Sequence, residues 1–104
     1  MANVFLKILG KSNIMKVLDY LLDLSVDVGI LDICDGTELS RKTVEKILDN
    51  FVEEGIVIKT RKVGKSQMLK LNDANPIVQK LRDINRIVLE QQEQKLQTNL
   101  LQVA

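Results

Sequence analysis

Residues 37–71 read TELSRKTVEKILDNFVEEGIVIKTRKVGKSQMLKL and decide the fold of the chain. Ser40 is a strong helix N-cap, because its hydroxyl can accept a hydrogen bond from a backbone N–H of the first turn. Gly55 stands where a residue in the left-handed conformation commonly ends a helix. The stretch therefore predicts a helix over residues 41–54, followed directly by an extended segment.

The predicted helix has one apolar side and one charged side. Its apolar residues recur at the i, i+3, i+4, i+7 spacing of a helix face that packs on a core: Val44, Ile47, Leu48 and Phe51. The charged residues fall away from this stripe: Arg41, Lys42, Glu45, Lys46 and Asp49. The pattern predicts a helix that buries one side and presents several charges to a ligand.

A basic β-hairpin is predicted after this helix. Residues 56–63 are rich in β-branched side chains, residues 64–66 form a tight tip, and residues 67–71 return. Strict alternation along the first strand would put Val57, Lys59 and Arg61 on one face and Ile56, Ile58 and Thr60 on the other.

Helical segments are also predicted on the N-terminal side. For residues 3–9 the pattern allows a strand or a short helix capped by Asn3, and we favour the helix. We also expect a helix over residues 12–24 capped by Ser12 and a short helix over residues 28–35. Gly36 and Thr37 would end the last of these. Leu39 would then fill the apolar side of the turn that leads to residues 41–54.

The C-terminal segment predicts the longest helix. Asn75 and Pro76 are a clear start signal for a helix over residues 77–100. Its apolar residues step by 4, 3 and 4, the spacing of a seam between two helices: Ile77, Leu81, Ile84 and Val88, with Leu96 further along. About 24 residues span roughly 36 Å, which is more than a domain of this size can cover. We therefore expect a second copy of the chain to pack on this helix.

Charge is unevenly distributed in a chain of 104 residues and net charge +1. Residues 40–71 hold eight bases and four acids, a local balance of 8 − 4 = +4, whereas residues 19–38 hold six acids and no base. Such a basic block can attract a polyanion even when the whole chain is nearly neutral. The acidic block is then expected to face away from it.

Residue counts argue against an enzyme. The chain has no His and one Cys, Cys34, so a His-containing zinc site, a Ser-His-Asp triad and an internal disulfide are excluded. We expect no catalytic residue, metal or cofactor, and we interpret Cys34 as a core residue in preference to a redox sensor, because Asp32 and Asp35 surround it with negative charge. With no signal-peptide pattern or membrane-length apolar run, a cytoplasmic location is expected.

Residues 39–60 (LSRKTVEKILDNFVEEGIVIKT), 61–72 (RKVGKSQMLKLN) and 75–81 (NPIVQKL) resemble the winged helix-turn-helix domains of archaeal and bacterial transcription regulators of the MarR and ArsR kind. The resemblance implies a mainly α (α+β) fold with a two-stranded wing and a long C-terminal dimerisation helix. Residues 1–75 would form the DNA-binding domain, and residues 76–104 would form the homodimer interface.

The resemblance also implies site residues. The recognition helix would meet the major groove of double-stranded DNA through Ser40, Arg41, Lys42, Thr43, Glu45 and Lys46. The wing would contact phosphates or the minor groove through Lys59, Arg61, Lys62, Lys65, Ser66 and Lys70. Arg41 or Lys42 would pair with guanine, and Glu45 would accept from cytosine N4. The dimer interface would comprise Ile77, Leu81, Ile84, Val88 and Leu96.

Two other functions fit the same pattern. The chain could be a protein-interaction module within a larger assembly, with the wing cations serving to protect an exposed strand edge. It could also be a plasmid-type replication or partition protein. One residue departs from the related turns, which often carry Gly where this chain has Glu38. Either the preceding helix stops at Gly36, or Glu38 adopts an unusual backbone conformation.

Overall fold

The computed structural model describes the backbone of residues 4–103 and the side chains of residues 6–96, which form five helices and one hairpin. The elements in chain order are α1 (Val4–Leu9), α2 (Asn13–Leu22), α3 (Ile30–Thr37), α4 (Arg41–Glu53), β1 (Val57–Val63), β2 (Ser66–Leu71) and α5 (Pro76–Val103). The expected winged helix-turn-helix order is confirmed. The predicted cap Asn3 lies outside the described residues.

Helices α2 and α4 begin at the predicted serine caps. Ser12 Oγ accepts from the Met15 N–H at 3.2 Å, and Ser40 Oγ accepts from the Thr43 N–H at 3.3 Å. A cap of this kind stabilises a helix by about 1 kcal/mol. Because these signals are local, the starts of both helices follow from the sequence, although α2 ends two residues before its predicted end.

The end of α4 is fixed by a Schellman motif around Gly55, which has φ +75°. The Gly55 N–H donates to the Val52 carbonyl at 3.1 Å, and the Ile56 N–H donates to the Phe51 carbonyl at 2.8 Å. Ile56 and Phe51 are both buried. Ile56 therefore belongs to the helix end, and β1 begins one residue later than predicted.

The core lies where α2, α3, α4, the base of the hairpin and the start of α5 meet. The side chains that are most completely buried come from all five elements: Val17, Ile33, Val44, Val57, Leu71 and Val78. The predicted stripe of α4 is confirmed, because all four of its residues are buried. Helix α4 is thus held by its apolar side, and its charged side is left at the surface.

The turn between α3 and α4 corrects the predicted helix end. Gly36 and Thr37 are helical, and the C-cap residue Glu38 has the left-handed conformation with φ 60° and ψ 29°. The glycine that related turns carry at this position lies two residues earlier here, at Gly36. A Cβ on Gly36 would lie 2.2 Å from Tyr20 Cε2. Close packing of the Tyr20 ring therefore requires a glycine at position 36, within the helix. A residue with a side chain, Glu38, occupies the left-handed position two residues later.

The wing is an antiparallel β1–β2 hairpin with a two-residue tip. Val63 pairs with Ser66, so the tip is Gly64 and Lys65, and Ser66 belongs to β2, contrary to the predicted three-residue tip. Gly64 has φ +62°, as the first central residue of a type II′ turn requires. Val28 forms an isolated antiparallel β-bridge with Leu69, with which it exchanges backbone hydrogen bonds of 2.9 and 2.8 Å.

A bulge interrupts β1, and the predicted alternation is wrong beyond it. Lys59 pairs with Leu69 and Lys62 pairs with Gln67, so that Thr60 and Arg61 together oppose the single residue Met68. Residues three apart in a regular strand point to opposite faces. The extra residue brings Lys59 and Lys62 to the same face of the wing.

Helix α5 starts as predicted, with Asn75 Oδ1 accepting from the Ile77 N–H at 2.8 Å. The residues of α5 that face the rest of the chain follow helical spacing: Val78 and Val88 are buried, and Leu81, Asn85 and Gln92 are half-buried. The 28 residues of α5 span about 42 Å. The radius of gyration is 15.6 Å, against about 13 Å for a compact chain of this length, because α5 extends past the core.

No helix among the described residues is long and apolar enough to cross a membrane. Cys34 is half-buried and packs on the core, which agrees with its interpretation as a core residue.

Candidate nucleic-acid interface

The first turn of α4 presents the predicted recognition residues in two different states. Ser40 and Thr43 are engaged with each other, because the Ser40 hydroxyl accepts from the Thr43 N–H and donates to Thr43 Oγ1 at 2.9 Å. Lys42 and Lys46 are exposed, one turn apart on the outer side of the helix. The serine and threonine therefore shape the helix start, and the two lysines extend from it.

Arg41 and Glu45 form an ion pair along α4. Arg41 Nε donates to Glu45 Oε1 at 2.8 Å, and the two side chains are 64% and 48% exposed. An exposed pair at i, i+4 contributes only about 0.3–0.5 kcal/mol to stability. Its chemical consequence is larger, since the carboxylate engages the guanidinium through Nε, and the two terminal nitrogens remain as donors for a ligand.

A groove separates α4 from the wing, and the bulge in β1 determines its basic side. Three wing lysines line it from one side: Lys59, Lys62 and Lys65. Arg41 and Glu45 line it from the α4 side, and Ser66 lies at the end near the wing tip. The structure thus brings together cations from two predicted sets that are about 20 residues apart in sequence.

The groove also contains three carboxylates, those of Asp32, Glu45 and Asp49. With four bases and three acids, its formal charge is only 4 − 3 = +1. The expectation that the acidic block faces away from the basic block is therefore wrong for Asp32. The lysines and the acids lie on separate sides, which gives the groove a basic wing wall and a mixed helix wall.

Arg61 does not line this groove. Its Nε donates to Asp27 Oδ2 at 3.0 Å and its Nη2 donates to Asp27 Oδ1 at 3.3 Å, while the Thr60 hydroxyl donates to Asp27 Oδ2. The hydrogen bonds from Arg61 and then Thr60 hold the pKa of Asp27 below its ordinary value of 3.8. Asp27 is a second acid that does not face away from the basic block.

Sequence reasoning missed the contact between Asp27 and the wing. Asp27 precedes Thr60 and Arg61 by 33 and 34 residues, and no spacing rule relates positions so far apart. The only sequence signal for this contact is that an acid, Asp27, directly precedes Val28 in a short extended segment. Lys70 lies on a different surface, beside Asp73 and Arg82.

The predicted dimer residues fall into two groups. Ile77, Ile84 and Leu96 are 59%, 40% and 54% exposed, whereas Leu81 is half-buried and Val88 is buried within its own chain. Val88 thus has almost no surface left for a partner in this structure. The prediction omitted other exposed apolar residues of α1, α2 and α5: Ile8, Leu9, Ile14, Ile87 and Leu89.

Solved structures with a similar fold come from bacteria and archaea. AF1382 from Archaeoglobus fulgidus superposes with a TM-score of 0.61 at 23% identity, over 79% of this chain and 93% of that one. The homodimeric winged helix-turn-helix DNA-binding domain Mb0332 from Mycobacterium bovis, described as a possible ArsR-family transcriptional regulator, superposes with a TM-score of 0.59 at 21% identity, over 90% and 82%.

MepR from S. aureus in complex with DNA superposes with a TM-score of 0.60 at 16% identity, over 94% of this chain and 82% of that one. No protein-family model matches the chain, and no curated protein matches it in sequence. At these identities the likeness defines the fold. The chain is a winged helix-turn-helix protein, with the fold of transcriptional regulators of the MarR and ArsR kind, as the resemblance of residues 39–81 predicted.

Proposed function

We propose that this chain is a homodimeric transcriptional regulator that binds double-stranded DNA in a sequence-specific way. The observation that carries the proposal is the groove with Arg41 on one wall and Lys59, Lys62 and Lys65 on the other. Cations on both sides of a groove beside a solvent-facing helix suit a phosphate backbone that passes between the helix and the wing. MepR, which has the same fold, has been solved in complex with DNA, and this supports double-stranded DNA as the ligand.

In this proposal α4 reads bases and the wing provides affinity. The Arg41 Nε is occupied by Glu45, which leaves the terminal nitrogens of the guanidinium to meet guanine O6 and N7. The second carboxylate oxygen of Glu45 accepts from cytosine N4. The two residues therefore favour a half-site that contains a G·C pair, and Lys42 and Lys46 bind neighbouring phosphates.

The proposed dimer forms through α5 and the adjoining N-terminal helices. Ile77, Ile84 and Ile87 are exposed on α5, and the helix extends beyond its own core. Two copies would present two α4 helices to half-sites separated by about one helical turn, 10–10.5 bp, or a multiple of it. Selection from a random duplex pool tests this arrangement, and recovered sites without an inverted repeat would contradict it.

The direct test is fluorescence anisotropy on labelled duplex DNA across a salt series. If the two α4 lysines and the three wing lysines of each protomer meet phosphates, the slope of log K against log salt is about −4.5 per protomer. Replacing Lys59, Lys62 and Lys65 by Gln should weaken binding to any duplex and bring the slope about 2.7 units closer to zero. The matched control replaces three exposed lysines outside the wing, Lys7, Lys11 and Lys80. Because two of them lie on helices of the proposed dimer, its oligomeric state is checked by sedimentation, and its slope should be nearly unchanged.

A protein-interaction module is the second candidate, and the acids of the helix wall favour it. Asp32, Glu45 and Asp49 line the groove and would repel a phosphate backbone. An anisotropy series that detects no duplex binding even at low salt would favour this candidate over DNA binding. If the chain with the wing substitutions binds duplex DNA as tightly as the wild-type chain, then the DNA binds to another surface.

A further inference from the structure

The wing is tied to the α2–α3 connection by one carboxylate. Asp27 accepts from the side chains of two consecutive residues of β1, Thr60 and Arg61, and its two oxygens bind the guanidinium at 3.0 and 3.3 Å. The Asp27 side chain is only 14% exposed, whereas that of Arg61 is 66% exposed. The acid is therefore the enclosed partner, and the arginine lies over it.

The contact falls on the bulge and is supported from both sides. Next to Asp27, Val28 exchanges two backbone hydrogen bonds with Leu69, which fixes the position of the Asp27 backbone. On the other side, the Gln67 amide donates to the Arg61 carbonyl at 3.1 Å and to the Met68 carbonyl at 3.0 Å. The residues that form the bulge are thus held by hydrogen bonds to both backbone and side chains.

The bulge decides which way the wing lysines face. Without the extra residue, Lys59 and Lys62 would lie on opposite faces of β1, since they are three positions apart. With it, both line the groove together with Lys65. A change that lets the bulge slip would turn at least one lysine out of the groove.

We propose that Asp27 is a positioning residue for DNA binding, which holds the β1 bulge through Thr60 and Arg61 so that the wing lysines face α4. Arg61 then serves as part of this contact, in place of the direct phosphate contact that its position in the wing predicts. The inference rests on the proposed function and adds to it an acid that strengthens the binding of a polyanion.

The sign of the effect makes the inference testable. Removal of an acid near DNA ordinarily strengthens binding by relieving repulsion. Here Asp27→Ala should weaken duplex binding about fivefold to tenfold and bring the salt slope about 1–2 units closer to zero, because one or two lysine–phosphate contacts are lost. Asp35→Ala removes an exposed acid of α3 and is the matched control, for which we expect unchanged or slightly tighter binding.

A double-mutant cycle separates positioning from direct contact. If Arg61 acts through Asp27, the losses from Asp27→Ala and Arg61→Gln are not additive, and the double variant binds about as well as either single variant. If Arg61 meets a phosphate itself, the losses add. Urea unfolding of each variant, followed by circular dichroism, shows that the helical core remains folded.

The outcomes distinguish this inference from the proposed function. A wild-type chain that binds no duplex contradicts DNA binding altogether. A wild-type chain that binds, together with an Asp27→Ala variant that binds equally or more tightly, overturns the positioning role alone. If the losses in duplex affinity add, and the wing lysines contribute as much to binding as in the wild-type chain, then Arg61 contacts a phosphate directly.

Discussion

Helix α4 and the wing form two walls of one groove. The polar contacts that hold the two walls differ greatly in the sequence separation of the residues they join. In α4 the polar contacts join neighbours three or four residues apart, Ser40 with Thr43 and Arg41 with Glu45. In the wing the decisive contact joins Asp27 to Arg61, 34 residues away. The α4 wall, which we propose reads bases, is therefore preformed wherever α4 is folded, whereas the wing wall, which we propose binds phosphates, depends on a few polar atoms.

The largest expected effect tests the packing between α2 and α3, the two helices on which α4 packs. In Gly36→Ala the new Cβ would lie 2.2 Å from Tyr20 Cε2 and 2.5 Å from Cδ2, so the ring must move. Overpacking costs about 1–3 kcal/mol, and the gain in helix propensity from Gly to Ala returns about 1 kcal/mol. We expect a net loss of up to about 2 kcal/mol in the free energy of unfolding, measured with urea.

The control for that variant removes the ring. Tyr20→Ala alone should lose stability through lost packing, but adding Gly36→Ala to it should cost nothing further, because the clash is gone. If Gly36→Ala is as damaging without the ring as with it, then the Tyr20 contact does not explain the glycine. A stable Gly36→Ala protein would show that the α2–α3 packing is looser than the structure indicates.

A smaller effect is expected at the turn that leads into α4. Glu38 has φ 60°, a conformation that costs a residue with a side chain about 1–2 kcal/mol. Glycine relieves this strain but loses about 0.5–1 kcal/mol to the entropy of the unfolded chain. Glu38→Gly should therefore gain roughly 0.5–1 kcal/mol in unfolding free energy, and Glu38→Gln should gain almost none.

The same two variants separate strain from charge in DNA binding. Both remove the negative charge beside the start of α4, so both should tighten duplex binding to a similar, salt-dependent extent. If only the glycine variant binds more tightly, then the turn geometry, and not the charge of Glu38, limits affinity.

The smallest effect compares two carboxylates during acidification. Burial raises the pKa of Asp23, partly offset by a hydrogen bond from Asn85, whereas Arg61 and Thr60 lower the pKa of Asp27. The Asp27 contact therefore contributes stability above pH 3.8 that is lost as the pH falls through its lower folded pKa. Burial of charged Asp23 costs stability at neutral pH, and that cost disappears as the pH falls through its raised pKa.

Carbon-detected NMR titration of the side-chain carboxyls checks this order. Asp23 should take up its proton at a higher pH than Asp27, and in Arg61→Gln the pKa of Asp27 should rise. Protonation of Asp27 before Asp23 would contradict the arginine contact. An unchanged Asp27 pKa in Arg61→Gln would show that Thr60 and the backbone account for the shift.

Prediction from the sequence succeeded where one element carries its own signals and failed where two elements meet. The start of α4 after Ser40 and its end before Gly55 depend only on residues that are close in the sequence. The face of α5 could not be fixed in the same way, because residues 77, 81, 84 and 88 and residues 78, 81, 85 and 88 both follow helical spacing. Packing chose the second set, which buries Val78 and leaves Ile77 exposed.

The sequence alone determined the order of helices and hairpin, the ends of α4 and the basic character of residues 40–71, because caps, apolar periodicity and charge are properties of adjacent residues. Only the tertiary structure decided that the bulge turns Lys59 and Lys62 to one face, that Asp27 binds Arg61, and that Gly36 packs against the Tyr20 ring. These features depend on atoms distant in the chain, whose approach is set by the packing of the whole core.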